Sequence, residues 1–258
     1  MFLSENEIWE YIKKGELIIE PFSPEVVDKN GLDLRVGQEY AVIKPSDEPV
    51  DIAEIKGIED IGEVKTAEKD IILKPGYIYL INTLEFIVMP KDLIGVCCLR
   101  STFARLGISI APTIIDAGFR GKIVMEIHPS CRPVKIHVGD RLLHLLLGRL
   151  ITPTSYTGKY QGQTTILIKP DKYFWWYSFL YYNTGEIEVR RLGPAAPYWK
   201  PPAFTTFSHS KRIKKPIECE VYWTDTGNII HGYIVLSEPI DEGTLTNIIK
   251  RTVKDTNK

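Results

Sequence analysis

A charge imbalance is missing from this chain: 32 Lys and Arg stand against 33 Asp and Glu, a formal net charge of −1 with an isoelectric point near 6.5. That balance excludes the broad basic field of a general nucleic-acid binder, although a nucleotide pocket needs only a few local cations. Cysteine is also scarce. Cys97, Cys98, Cys131 and Cys219 follow no regular framework, so a reduced intracellular compartment is expected rather than a disulfide-rich secreted one. No CxxC pair occurs, and the adjacent Cys97 and Cys98 would point to opposite faces of a strand, so no zinc site is expected. His128, His137 and His144 read as structural residues. No apolar run approaches the roughly 18 residues of a membrane span, and no leader-like apolar segment is present. The expected location is the cytoplasm, with neither nucleic acid nor membrane as a partner.

What is present is a chain of 258 residues with 44% apolar content, enough for one large domain or one domain plus a smaller one. Ser4 followed by Glu7 forms a capping box ahead of Ile8, Trp9 and Ile12, and Gly15 closes the pattern, which predicts a short amphipathic helix of about ten residues. From there to Leu150 the pattern is β. Short apolar runs at Tyr40–Ile43, Asp70–Leu73, Tyr77–Ile81, Ile94–Leu99, Ile123–Ile127, Val134–Val138 and Leu142–Leu147 are separated by Gly, Pro, Asp and Asn turns. Many short strands with few helices imply a mainly β sandwich or jelly roll.

Beyond Pro170 the composition shifts, and residues 171–258 hold more than half of the aromatic residues, with Tyr173 to Tyr182 rich in Phe, Trp and Tyr. That cluster reads as the core of a small domain or as a subunit contact. Hairpin signals stand at Asn183–Gly185 and Asp225–Asn228, a proline-rich extended arm at Gly193–Phe204, and a final helix at Leu245–Val253 with fraying residues after it. The predicted division is 1–170 for the first domain and 171–258 for an appended β-rich unit of unknown function.

The chemistry concentrates between Arg100 and Glu126. Arg100, Ser101, Thr102 and Arg105 bring guanidiniums and hydroxyls suited to phosphate and carbonyl oxygens, while Ala117 and Gly118 set Asp116 in a turn after the apolar Ile114 and Ile115. Glu126 lies inside the strand-forming run Lys122–Ile127, between Met125 and Ile127. A partly desolvated carboxylate there suits general base work. Read alone, Ser101 and Arg105 could merely cap a short helix.

In order along the chain, Gly15–Phe22, Asn30–Gly37, Lys74–Tyr77 with Leu80, Arg100–Gly107, Ile115–Glu126 and Lys159–Gln163 resemble the ordered motifs of the dCTP deaminase and dUTP diphosphatase superfamily. The match covers residues 1–170 and is closer to the deaminase branch, because Glu126 stands where the diphosphatases carry a small or apolar residue. The resemblance implies a distorted jelly roll of the dUTPase-like β-clip kind, assembled as a homotrimer with sites at subunit interfaces. It implies hydrolytic deamination of dCTP to dUTP and ammonia, without zinc, on the route to dUMP and dTTP. The zinc-dependent deaminases use an HxE and PCxxC ligand set, and this chain has neither.

By the same resemblance Glu126 moves protons, while Ser101 and Arg105 hold the water and stabilise developing charge. Arg100, Arg120, Lys159 and Gln163 are candidates for the triphosphate, with Ser101 and Thr102 also among the nucleotide-binding residues; the triphosphate would bring Mg2+ with it and leave the protein without a metal cage of its own. Asp116 would contact the sugar 3′-hydroxyl, and Tyr156, Tyr160 and the glycines around them resemble a mobile lid. Two alternatives stay open. Asp116 could prepare water for attack on phosphate, giving a bifunctional deaminase and diphosphatase or a diphosphatase alone, or the fold could be a non-catalytic pyrimidine-nucleotide sensor. The sequence also departs from the family's pattern: the segment between Arg105 and Asp116 is about two residues short, and His144 stands where many relatives carry glutamine.

Overall fold

The computed structural model describes residues 1–169, 174–195, 207–214 and 217–254. The chain forms two compact units, Met1–Lys169 and Pro170–Lys258, each with an apolar core of its own. The architecture is mainly β with curled sheets, a short N-terminal helix and a β-rich C-terminal unit, as the sequence predicts. Among the described residues no helix is long and apolar enough to cross a membrane.

The first unit opens with α1 (Glu5–Lys13), where Glu7 Oε2 accepts from both the N–H and the hydroxyl of Ser4 at 2.9 Å. Gly15, at φ +69°, ends it with a left-handed residue that only glycine adopts without cost. The strands that follow are β1 (Ile18–Glu20), β2 (Val27–Asp28), β3 (Gly31–Ile43), β4 (Glu63–Thr66), β5 (Asp70–Leu73), β6 (Ile78–Val88) and β7 (Leu93–Leu99). After the single helical turn α2 (Ser101–Arg105) come β8 (Ile108–Ile110), β9 (Ile114–Ile115), β10 (Arg120–Pro129), β11 (Val134–His137) and β12 (Arg141–Arg149).

These strands pair in the order β8-β10-β6-β3-β12-β7-β9, with β1 beside β6, β2 and β4 beside β3, and a separate β5–β11 pair. Strand β3 organises the sheet. Its first part, Gly31 to Arg35, pairs with β12, and its second, from Val36 to Ile43, pairs with β6 across a register shift between Val36 and Tyr40. The motif at Asn30–Gly37 and the strand predicted at Tyr40–Ile43 are therefore parts of one bent strand. Central β12 is apolar on both faces, and Leu142, Leu143, Leu145 and Leu147 are all fully buried.

In the second unit β13 (Phe174–Tyr182), β14 (Ile187–Ala195), β15 (His209–Ile213), β16 (Cys219–Asp225) and β17 (Ile229–Leu236) form an antiparallel sheet in the order β14-β13-β17-β16-β15. The helix α3 (Glu242–Lys254) contributes Leu245, Ile248, Ile249 and Val253 to a core shared with Trp175, Tyr177, Phe179 and Trp223. The aromatic cluster is thus core. Both predicted hairpins form: Gly185 N–H donates to Tyr182 O, and Thr226 N–H to Ile229 O. Of the proline-rich arm, Gly193, Pro194 and Ala195 belong to β14. Tyr173, the rest of that arm and the final residues 255–258 lie outside the described residues.

Candidate active site

Strand β10 alternates cleanly. Gly121, Ile123, Met125 and Ile127 are buried, while Lys122, Val124, Glu126 and His128 are half-buried on the opposite face. That second face lines a cavity of about 460 Å³ whose apolar wall includes Ile43, Ile78, Leu80 and Phe119. Its polar lining gathers Thr113, Asp116, Lys122, Glu126, His128, Tyr156, Tyr160 and Gln163. The period-two geometry of the strand therefore brings Glu126 into a partly dry pocket with four further residues expected there: Asp116, Tyr156, Tyr160 and Gln163.

Asp116 follows β9 in a tight turn, where Phe119 N–H donates to Asp116 O at 3.1 Å and Gly118 N–H to Pro90 O at 3.1 Å. Gly118 has φ +74°, and a Cβ there would lie 2.7 Å from Ser155 Oγ. The segment Tyr156–Gln163 is laced onto this turn and onto the start of β10. Tyr156 N–H donates to Ala117 O at 2.7 Å, and the Tyr156 ring meets Phe119 edge-on at 5.9 Å. The Gln161 amide donates to Gly118 O at 2.9 Å, its carbonyl accepts from Arg120 N–H at 2.8 Å, and Lys122 N–H donates to Gln163 O at 2.8 Å.

The remaining expected residues are elsewhere. Ser101, Thr102 and Arg105 are exposed on α2 and do not line this cavity. Arg100 and Thr102 instead border a second cavity of about 450 Å³ with Arg35, Arg141, Glu25 and Asp140. Arg120 is exposed and lines neither. Lys159 also lines neither, with its ammonium 5.6 Å from the centre of the Tyr160 ring. One chain therefore keeps α2 and the Glu126 cavity apart, with Arg120 and Lys159 lining neither cavity.

Beside the second cavity lies a network absent from the sequence reading. Asp33 is buried, accepting from Arg100 Nε at 2.8 Å on one oxygen and meeting His144 Nδ1 at 2.9 Å on the other. Arg141 Nη1 is 3.9 Å away and donates to Glu25 O at 2.7 Å. Asp28, Asp33 and His144 are the one group among the described residues whose ligand atoms converge closely enough to hold a cation. The guanidinium already seated on Asp33 opposes a cation there, so the cluster fits an ion-pair network better than a metal site.

Near Glu126, Cys97 sits buried in β7. Burial first, and then the Glu126 charge, pushes its thiol up to about 12, which disfavours a thiolate nucleophile there at neutral pH. Sequence reasoning missed Lys122, Thr113 and His128 as pocket residues. Lys122 and His128 were legible, since both share the parity of Glu126 on β10.

Comparison with known proteins places the chain in a family. Residues 2–150 match the dCTP deaminase-like family. A protein of Desulfurococcus amylolyticus named dCTP deaminase is 44% identical over 166 residues, covering 63% of this chain and 91% of that one. A protein of Sulfolobus islandicus rod-shaped virus 1, named "Probable deoxyuridine 5'-triphosphate nucleotidohydrolase", is 38% identical over 170 residues, covering 65% and 98%. The crystal structure of 2′-deoxycytidine 5′-triphosphate deaminase from Agrobacterium tumefaciens superposes with a TM-score of 0.47 at 21% identity, over 57% of this chain and 47% of that one. With its deaminase-like motifs carried on a curled β fold and more than half of its length matched, the chain belongs to the dCTP deaminase-like family.

Proposed function

We propose that this protein deaminates dCTP to dUTP and ammonia without zinc. The observation that carries the reading is the position of Glu126, half-buried in the 460 Å³ cavity beside Asp116, Tyr156 and Gln163. Water attacks C4 of the cytosine ring as Glu126 accepts its proton and passes it to N3; Glu126 then carries the C4 hydroxyl proton to the amino group, the C4–N bond breaks as the C4 carbonyl forms, and ammonia leaves. Ser101 and Arg105 orient the water and stabilise the developing charge, and Asp116 holds the sugar 3′-hydroxyl. Tyr156, Tyr160, Lys159 and Gln163 close over the nucleotide.

Because α2 and the Glu126 cavity are separate within one chain, a complete site takes α2 from a second copy, which favours a homotrimer or a multiple of trimers. The cavity bordered by Arg35, Arg100, Thr102 and Arg141 suits the triphosphate, with exposed Arg120 at the start of β10 as a further cation for it. Arg35, Arg100 and Arg141 would hold the phosphates, and magnesium carried on them would neutralise part of their charge. The first unit, residues 1–170, carries this chemistry, and residues 171–258 form an appended unit. The setting is cytoplasmic supply of dUTP for dUMP and dTTP.

A second reading is favoured by one observation: Asp116 lines the same cavity as Glu126, so a second water could be activated for attack on the phosphate chain. Incubation with dCTP and separately with dUTP, reading ammonia and pyrophosphate independently, separates the cases. Ammonia alone from dCTP supports the deaminase. Both products support the bifunctional enzyme, pyrophosphate alone the diphosphatase, and tight binding with neither product the sensor.

A further inference from the structure

Asp33 itself is assigned no part in the reaction, yet its residue is only 1% exposed and both of its carboxylate oxygens are taken, one of them by Arg100. The sheet sets this up, since Asp33 on β3 lies directly opposite His144 on β12, and His144 opposite Cys98 on β7. Two residues beyond Cys98, Arg100 leaves the strand and becomes the N-cap of α2. Its Nε reaches Asp33 at 2.8 Å, its Nη1 donates to Arg141 O at 3.1 Å, and its own N–H donates to Leu142 O at 3.0 Å. The Arg100 carbonyl in turn accepts the N–H groups of Phe103 and Ala104, the first hydrogen bonds of the helix.

A helix of five residues with none of them buried cannot orient itself. Its direction is fixed by half-buried Phe103 at its centre and, beyond its ends, by Ser130 N–H on Gly107 O at 2.8 Å and by the Arg100 clamp. We infer that Asp33 is a positioning residue: together with His144 it fixes the Arg100 guanidinium, and through Arg100 it aims the α2 turn that carries Ser101 and Arg105. The inference rests on the reading that α2 supplies catalytic groups. The two oxygens of an aspartate offer an acceptor each to Arg100 Nε and to His144 Nδ1 in the tautomer that carries its proton there. An asparagine would turn an amide N–H toward either Arg100 or His144.

The test is steady-state ammonia release from dCTP by the full chain. Asp33→Asn is expected to lower kcat at least about thirtyfold, as misplacement of a catalytic turn does, with KM raised as well because Arg100 also borders the triphosphate cavity. In a Ser101→Ala background the same substitution is expected to cost less than about threefold, because two residues acting through one turn are not additive. Should Asp33→Asn fail to fold, His144 decides: His144→Asn puts an amide nitrogen where Nδ1 stands and retains activity, whereas His144→Ala loses about tenfold. Unchanged kcat in Asp33→Asn, fully multiplicative losses with Ser101→Ala, or equal activity of the two His144 variants would overturn the inference. Full activity of Ser101→Ala by itself would instead remove α2 from the reaction, a separate failure of the deaminase reading.

Discussion

The Thr113 hydroxyl lies 3.4 Å from Glu126 Oε2, with the Ala111 carbonyl at 3.3 Å as its other acceptor. Thr113 follows β8 and faces Glu126 from the segment between β8 and β9, so it steadies the carboxylate without being charged itself. Thr113→Val keeps the shape and removes the donor. The expected result is a loss of about three- to tenfold in kcat for ammonia release, with Thr113→Ser close to the parent. Equal rates for all three proteins would remove Thr113 from the site.

Gly121 holds the closing segment against β10. Its φ is +154°, and a Cβ there would lie 2.7 Å from Gln163 O and 2.9 Å from the Phe119 ring. Gly121→Ala therefore forces the backbone at Gln163 away from the strand, at a cost of about 1–3 kcal/mol. Protease cleavage within Tyr156–Gln163 is expected to accelerate, and KM for the nucleotide to rise. Parent-like cleavage and KM would show that this segment bears no load in binding.

The buried thiol of Cys97 gives a pH signature. Burial, followed by the charge of Glu126, raises its folded value from 9.0 to about 12. A raised acid favours the protonated folded form, so this contribution is complete below pH 9 and is lost as pH climbs toward 12, at about 1.4 kcal/mol per pH unit. Denaturant unfolding between pH 8 and 11.5 is expected to show that decline, and Cys97→Ala a flatter one. Parallel curves would place the alkaline loss on other groups.

Much of this was legible before the fold was known. The runs at Asp70–Leu73 and Leu142–Leu147 read as strands because they are short, apolar and bounded by turn residues, and the capping box at Ser4 marked α1. The carboxylate of Glu126 stood out because its neighbours in the run are apolar. The part that spacing could not reveal is long-range pairing. Asp33 and His144 are 111 positions apart, and only the β3–β12–β7 register brings them together beside Arg100. Nor could order along the chain show that α2, about twenty residues before Glu126, lines a different cavity. Strand direction and register decide that, and neither is local.

The central claim, that Glu126 of one copy works with α2 of another, has a direct test. Glu126→Gln and Arg105→Ala chains are each expected to release no ammonia from dCTP, with Glu126→Gln still binding nucleotide within about tenfold of the parent. Co-expressed in equal amounts, they should assemble mixed oligomers in which about a quarter of the sites combine an intact Glu126 with an intact Arg105. The account predicts recovery of ammonia release to about that fraction. Mixed assemblies as silent as either parent, or a Glu126→Gln protein that still deaminates dCTP, would contradict it.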